Sequence, residues 1–217
     1  MITLALSAGL INAVAVFGYG GSTVSHVTGM ITKLSSSVSS ADILGCLNVF
    51  AAIFAFFAGA VSAGIATGER AFSLRKVYGC IIIAIGFLML LPLFLDQRHS
   101  IFLLAFLMGL QNGMVVSFKG ILIRSTHMTG NLTDLGVYFG YLIRGNKKEK
   151  PIAGIVPGIT VLSYFIGGIV GMVLYKLIGR FVFLTASFIY IISGLAYFFL
   201  QKTCTDKNFN GIREEKY

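Results

Sequence analysis

The chain has 217 residues, 56% of them hydrophobic and only 12% charged, with a mean hydropathy of +0.87. Soluble domains average about 45–50% apolar and 25% charged residues, so an ordinary soluble domain is excluded. Six spans of about 20 residues would use nearly all the apolar stock, which leaves no sizeable extramembrane domain. The formal net charge of +9 would raise nucleic-acid binding in a soluble protein; here membrane topology accounts for it, and no nucleic-acid partner is expected.

The stretches free of Asp, Glu, Lys and Arg run from Met1 to Thr32, Ile43 to Gly68, Val77 to Leu95, Ser100 to Phe118, Pro151 to Tyr175 and Phe181 to Gln201. Backbone groups in hydrocarbon must be paired internally, so runs of this length are helices or barrel strands, and strands would alternate polar with apolar residues. They do not alternate. The expected fold is an all-α, polytopic transmembrane bundle of six spans. The N-terminus lacks the basic region and small-residue cleavage site of a secretory signal, so Met1 is expected to begin the mature chain.

Sidedness follows from Lys and Arg. With six crossings, the side holding both termini carries Arg70, Arg75, Lys76, Lys119, Arg124, Arg144, Lys147, Lys148, Lys150, Lys202, Lys207, Arg213 and Lys216, 13 in all. The other side holds the remaining 4, namely Lys33, Arg98, Lys176 and Arg180. Both termini are therefore expected in the cytoplasm, with the protein in the inner (plasma) membrane. A rival arrangement of eight crossings, with extra spans after Gly20 and Gly120, splits the same residues 10 to 7 and satisfies the rule less well.

The chain also repeats itself. At an offset of 100, Gly9-Leu10-x-Asn12 falls on Gly109-Leu110-x-Asn112, with Val16 on Val116 and Gly20 on Gly120. At 101, Ser25-His26-Val27-Thr28-Gly29-Met30-Ile31-Thr32-x-Leu34 falls on Thr126-His127-Met128-Thr129-Gly130-Asn131-Leu132-Thr133-x-Leu135. At 108, Phe57-x-Gly59-x-x-x-Ala63 falls on Phe165-x-Gly167-x-x-x-Gly171, and Gly86 on Gly194. The second half gains its extra residues in the Arg144 to Lys150 loop. The expected organisation is a first three-helix repeat over 1–95, a second over 100–200, and a polar cytoplasmic tail over 201–217. Three spans per half is an odd number, so six crossings make the halves inverted, as in many transporters whose sites lie at helix breaks.

The segment from Ser125 to Gly136, with Gly109-Leu110-Gln111-Asn112 before it, resembles the YoaK family of bacterial membrane proteins, grouped as domain of unknown function 1275. The likeness covers nearly the whole chain. The first copy departs from the family pattern, which has Asp where this chain has Asn12, and Asn where it has Met30. The resemblance implies an integral bacterial membrane protein and supplies no substrate.

The His-x-Thr-Gly segments are the expected broken or re-entrant points. Thr28 and Thr129 stand where N-caps would, each followed by glycine (Gly29, Gly130) and then by readable helices, Met30 to Ser35 and Asn131 to Arg144. Free N–H groups at helix starts suit anions, and His26 and His127 would stand beside the substrate as hydrogen-bond donors. The substrate-binding set expected from sequence is therefore His26, Thr28, Gly29, His127, Thr129, Gly130 and Asn131. Asn12, Asn112 and Arg124 complete it. The alternative reading makes the histidines and asparagines purely structural.

Small-residue ridges, Gly59-x-x-x-Ala63 and Gly167-x-x-x-Gly171, are expected to pack the second and fifth spans together or across a homodimer. Cys46, Cys80 and Cys204 form no metal spacing. The tail run Asp206-x-Asn208-x-Asn210-Gly211 begins like a calcium loop, but the closing Glu is replaced by Tyr217. No catalytic signature is present, so neither an enzyme nor a cofactor is expected. The function expected is a small transporter or channel for a small polar or anionic solute, with the lipid bilayer as its surroundings. Alternatives are a non-transporting scaffold or accessory subunit and, third, an intramembrane enzyme using Ser22 and His26.

Overall fold

The computed structural model describes residues 1–19, 21, 23–68, 75–114, 116–118, 121–123, 125–145 and 150–214. They form eight α-helices: α1 (Ile2–Gly18), α2 (Val27–Ser39), α3 (Ile43–Thr67), α4 (Lys76–Leu88), α5 (Gln97–Gly113), α6 (Met128–Ile143), α7 (Ile152–Ile178) and α8 (Val182–Glu214). Each of the six charge-poor stretches contributes one of α1, α3, α4, α5, α7 and α8. Short helices α2 and α6 follow the two breaks. Among the described residues, the departure from an all-helical chain is a small antiparallel hairpin, β1 (Val116–Phe118) with β2 (Ile121–Ile123), where the apolar run from Ser100 leaves α5 at Gly113. Helix α8 continues through the charged residues after Gln201, so the Asp206 to Gly211 run is backbone helix rather than a loop.

Among the described residues three stretches are long and apolar enough to cross a membrane: Ile43–Thr67, Lys76–Leu93 and Ile152–Thr203, the last containing α7 and α8 as far as Thr203. Their exposed faces agree with that. Along α3, Ile43, Leu47, Phe50, Phe54, Phe57, Val61 and Ile65 form one exposed apolar stripe at helical spacing, and α7 carries another through Ile155, Ile159, Leu162, Ile166, Val170, Val173 and Leu177. Apolar faces of this length are stable only against an apolar medium, as expected of a membrane protein.

The halves interlock reciprocally. A methyl group built on Gly9 of α1 would lie 2.0 Å from the Tyr164 carbonyl oxygen of α7, and one built on Gly109 of α5 would lie 1.9 Å from that of Phe56 on α3. In return, Gly167 of α7 meets Leu6 O and Gly59 of α3 meets Phe106 O, each at 2.0 Å by the same measure. Every partner is the repeat counterpart of another: 9 with 109, 6 with 106, 56 with 164, 59 with 167. Exchanging the halves therefore maps one helix pair, α1 on α7, onto the other, α5 on α3. The helices α4 and α8 pair with each other in the same reciprocal way, Gly86 against Ile191 and Gly194 against Ile83. Glycine is required at these crossings because a side chain would separate backbones that are in direct contact.

This packing corrects one expectation. The small-residue ridges do not bring α3 onto α7; Gly59 and Ala63 receive α5, whereas Gly167 and Gly171 receive α1. The central core combines Leu10, Ile11 and Val14 of α1 with Leu104, Leu107 and Met108 of α5, Ile85 of α4, and Phe183 and Tyr190 of α8, all fully buried.

Candidate functional site

Both breaks are pinned to the helix that precedes them. In the first half, Asn12 lies inside α1 at 4% exposure. Its amide nitrogen donates to Ala8 O and to Ser25 Oγ, both at 2.8 Å, and its Oδ1 accepts from the backbone N–H groups of Val24 (3.2 Å) and Ser25 (3.1 Å). An amide within an apolar helix must be paired; here the pairing holds the break against α1.

The second half divides the task between neighbours. Thr126, the repeat counterpart of Ser25, donates its hydroxyl to Asn112 Oδ1. Gln111 donates to Ser125 Oγ at 2.6 Å and to Leu4 O at 3.1 Å, and accepts from the buried Tyr190 hydroxyl. Gln111 thus ties the second break to the first helix and to α8 at once.

Helices α2 and α6 begin two residues earlier than the Thr-Gly pattern suggests. His26 and His127, not the threonines, occupy the N-cap positions, with nearly equal backbone angles of φ −93°, ψ 76° and φ −84°, ψ 62°. Neither imidazole caps its helix. Thr28 and Thr129 lie in the first turn, and their carbonyls accept from Thr32 Oγ1 (3.1 Å) and Thr133 Oγ1 (2.9 Å). The breaks are alike in backbone and differ in side-chain setting. His26 is partly buried, its Nδ1 has no hydrogen-bond partner, and its ring meets Tyr164 edge to face at 6.2 Å. His127 is exposed and folds back over Gly130.

The two breaks meet at a cavity of about 860 Å³, whose wall includes Ser25, His26 and Thr28 from the first and Thr126, His127, Thr129 and Gly130 from the second. The other wall is Phe56, Ala60, Gly64 and Thr67 of α3 with Asn112 and Gly113 of α5, and Thr133 and Asp134 reach it from α6. A second cavity, of about 1040 Å³, lies between α1, α6 and α7. Its lining repeats the first: Asn12, Ala13, His26, Thr129, Tyr164, Gly168 and Met172 stand at the repeat positions of Asn112, Gly113, His127, Thr28, Phe56, Ala60 and Gly64. The two cavities also share His26, Met128, Thr129 and Thr133.

Of the residues expected from sequence, His26, Thr28, His127, Thr129, Gly130 and Asn112 come together in the first cavity. Asn12 lines the second. Gly29 faces a third, of about 510 Å³, beside Lys33 and Arg98. Asn131 lines none of these three, and Arg124 falls outside the described residues, as does Ser22. Sequence reasoning missed Ser25 and Thr126 as the residues that anchor the breaks, although their place before each histidine in the repeat was the signal. It also missed Tyr164 and Phe56, which reach the cavities only through packing of α7 and α3.

Among the described residues no cluster of three or more His, Cys, Asp or Glu could hold a metal, and the described Cys46 and Cys80 are free thiols. Chemically, the first cavity offers hydroxyls, two imidazoles, the starts of two helices and one carboxylate, a set that binds by hydrogen bonds. No curated protein and no solved structure matches the chain. Residues 1–196 match the family described as a protein of unknown function, DUF1275, and the chain belongs to that family.

Proposed function

We propose that this chain is a small transporter or channel that carries a polar or anionic solute across the inner (plasma) membrane. In this reading six helices cross the bilayer with both termini cytoplasmic, the halves are inverted repeats, and α2 and α6 are re-entrant segments that return to the side they left. The observation that carries the reading is the duplicated cavity: the same repeat positions line two spaces on either side of a partition made by His26, Met128, Thr129 and Thr133. An inverted repeat whose halves exchange conformations would open one space as it closes the other. The first-turn N–H groups of α2 and α6 and the two imidazoles would hold the solute. No covalent step is needed, and the chain works without a cofactor. A homodimer is compatible with this arrangement and not required by it.

The test is thiol accessibility at positions 26 and 127 in a background lacking Cys46, Cys80 and Cys204, with impermeant reagents on each side, followed by flux in His26→Ala and His127→Ala. Labelling of 26 from outside and 127 from inside, with loss of flux in folded variants, is expected. Labelling of both from one side, or normal flux in both variants, would refute it. A scaffold reading has one observation in its favour: Asn12 spends its amide entirely on internal bonds. Stable capture of a partner subunit with no solute dependence of melting would establish that reading instead.

A further inference from the structure

The second cavity differs from the first in chemistry. Its wall includes Val16, Leu132, Phe165, Ile169 and Val173, which are between 42% and 62% exposed. These side chains sit on the outer faces of α1, α6 and α7, and α7 is one of the apolar stretches able to cross a membrane. In a bilayer such a cavity opens sideways into hydrocarbon, not toward water. One part of its lining is different: His26, Thr129 and Thr133 are polar, and the same three residues line the polar cavity. A path for a purely water-soluble solute gains nothing from an apolar side opening at its binding groups, because lipid chains would compete for the space.

We infer that the ligand of this site is a single-chain amphiphile with an acidic head, its head among His26, His127 and the first turns of α2 and α6, its hydrocarbon tail between α1, α6 and α7. The inference rests on the transport reading and names its substrate class. The volumes suit it: pockets for ligands of this size run to about 300–1,000 Å³, and the apolar cavity alone provides about 1040 Å³. The head requirement follows from two helix starts whose N-cap side chains do not satisfy them. Gly168 leaves the tail path open. A methyl group there would meet only Gly9 O at 3.8 Å and the Ala13 Cβ at 4.0 Å, so the space beside it is not filled by protein.

The experiment uses the full chain in lipid nanodiscs, with palmitate that carries a diazirine near its methyl end, and peptide mapping of the label. Saturable labelling of α6 and α7 around Leu132, Phe165 and Met172 is expected, suppressed by unlabelled palmitate and not by acetate. Gly168→Phe and Met172→Trp, which fill the cavity from two different positions, should each lose it, while Gly168→Ala keeps it. Labelling that does not saturate, or that falls equally on the exposed Phe50, Phe54 and Phe57 of α3, is ordinary bilayer contact and overturns the inference. A Thr28→Cys reporter in the polar cavity separates the two levels. Protection from an impermeant maleimide by palmitate alone supports the amphiphile. Equal protection by acetate and palmitate overturns it and leaves the polar-solute transporter standing. Protection by neither overturns the amphiphile and any carboxylate solute at this site, and the flux of the histidine variants then decides the transport reading by itself.

Discussion

Gly9 and Gly109, 100 residues apart, each receive a backbone carbonyl from the opposite half of the chain, Gly9 that of Tyr164 and Gly109 that of Phe56. The two contacts are the same contact made twice, which is the physical content of the sequence repeat. Gly9→Ala and Gly109→Ala should each destabilise the bundle by about 1–3 kcal/mol or more, the range for overpacking an interface that cannot open locally. Gly64→Ala, where nothing lies within 4 Å of the added methyl, should leave stability unchanged or slightly raised, since alanine is the better helix former by about 1 kcal/mol at most. Thermal melting monitored by size-exclusion recovery in one detergent checks all three.

The repeat was legible because His, Thr, Gly, Thr and Leu recur in register, and the helical state of the apolar stretches was legible from charge-free length. The helix starts were less so. A Thr-Gly pair reads as a cap, yet the chain turns at the histidine before it, since the break is held by Ser25 and Thr126 rather than by the threonine hydroxyls. The cavity walls from α3 and α7 could not be read at all. Phe56 and Tyr164 are ordinary apolar-run residues until the glycine crossings bring α3 against α5 and α7 against α1. Gln111 stood in the sequence only as a polar neighbour of Asn112, because its hydrogen bonds join elements distant in sequence.

Asn12 makes three hydrogen bonds to the first break, so its loss should outweigh that of its counterpart. Asn12→Ala strands the N–H groups of Val24 and Ser25 in a buried site, at about 1–3 kcal/mol for each donor left unsatisfied. Asn112→Ala removes one hydroxyl partner while Gln111 still holds Ser125, and the effect should be smaller. In a double-mutant cycle, Asn12→Ala with Ser25→Ala should show coupling of about 0.6–1.7 kcal/mol, the range for hydrogen bonds between membrane helices. Equal melting temperatures for the two asparagine variants would refute the asymmetry.

The Tyr190 hydroxyl is the only part of that side chain that bonds specifically; its ring is fully buried. Tyr190→Phe preserves the packing and removes the donor to Gln111 Oε1, so the cost is that of one unpaired buried acceptor, about 1–3 kcal/mol. Gln111→Leu should be worse than Tyr190→Phe, because it releases Ser125 and Leu4 as well. Tyr190→Phe paired with Gln111→Leu should cost little more than Gln111→Leu alone, and additive losses would show that the two residues act separately.

Asp96 begins α5 and accepts from the Arg98 backbone N–H at 3.2 Å and from the His99 ring. The His99 hydrogen bond, with smaller help from that ring's charge and from the Arg98 and His99 backbone N–H groups, lowers the Asp96 carboxyl below its ordinary value. A carboxyl that is more acidic folded than unfolded stabilises the fold above its unfolded value and loses that contribution as pH falls through the folded one. Melting temperature should therefore carry no Asp96-dependent slope near neutrality and should fall in acid, below about pH 4. Asp96→Asn should flatten the acid limb while leaving the neutral plateau only slightly lower, because the pair is solvent-exposed and screened. An acid limb of the same slope in Asp96→Asn would assign that loss to other carboxylates.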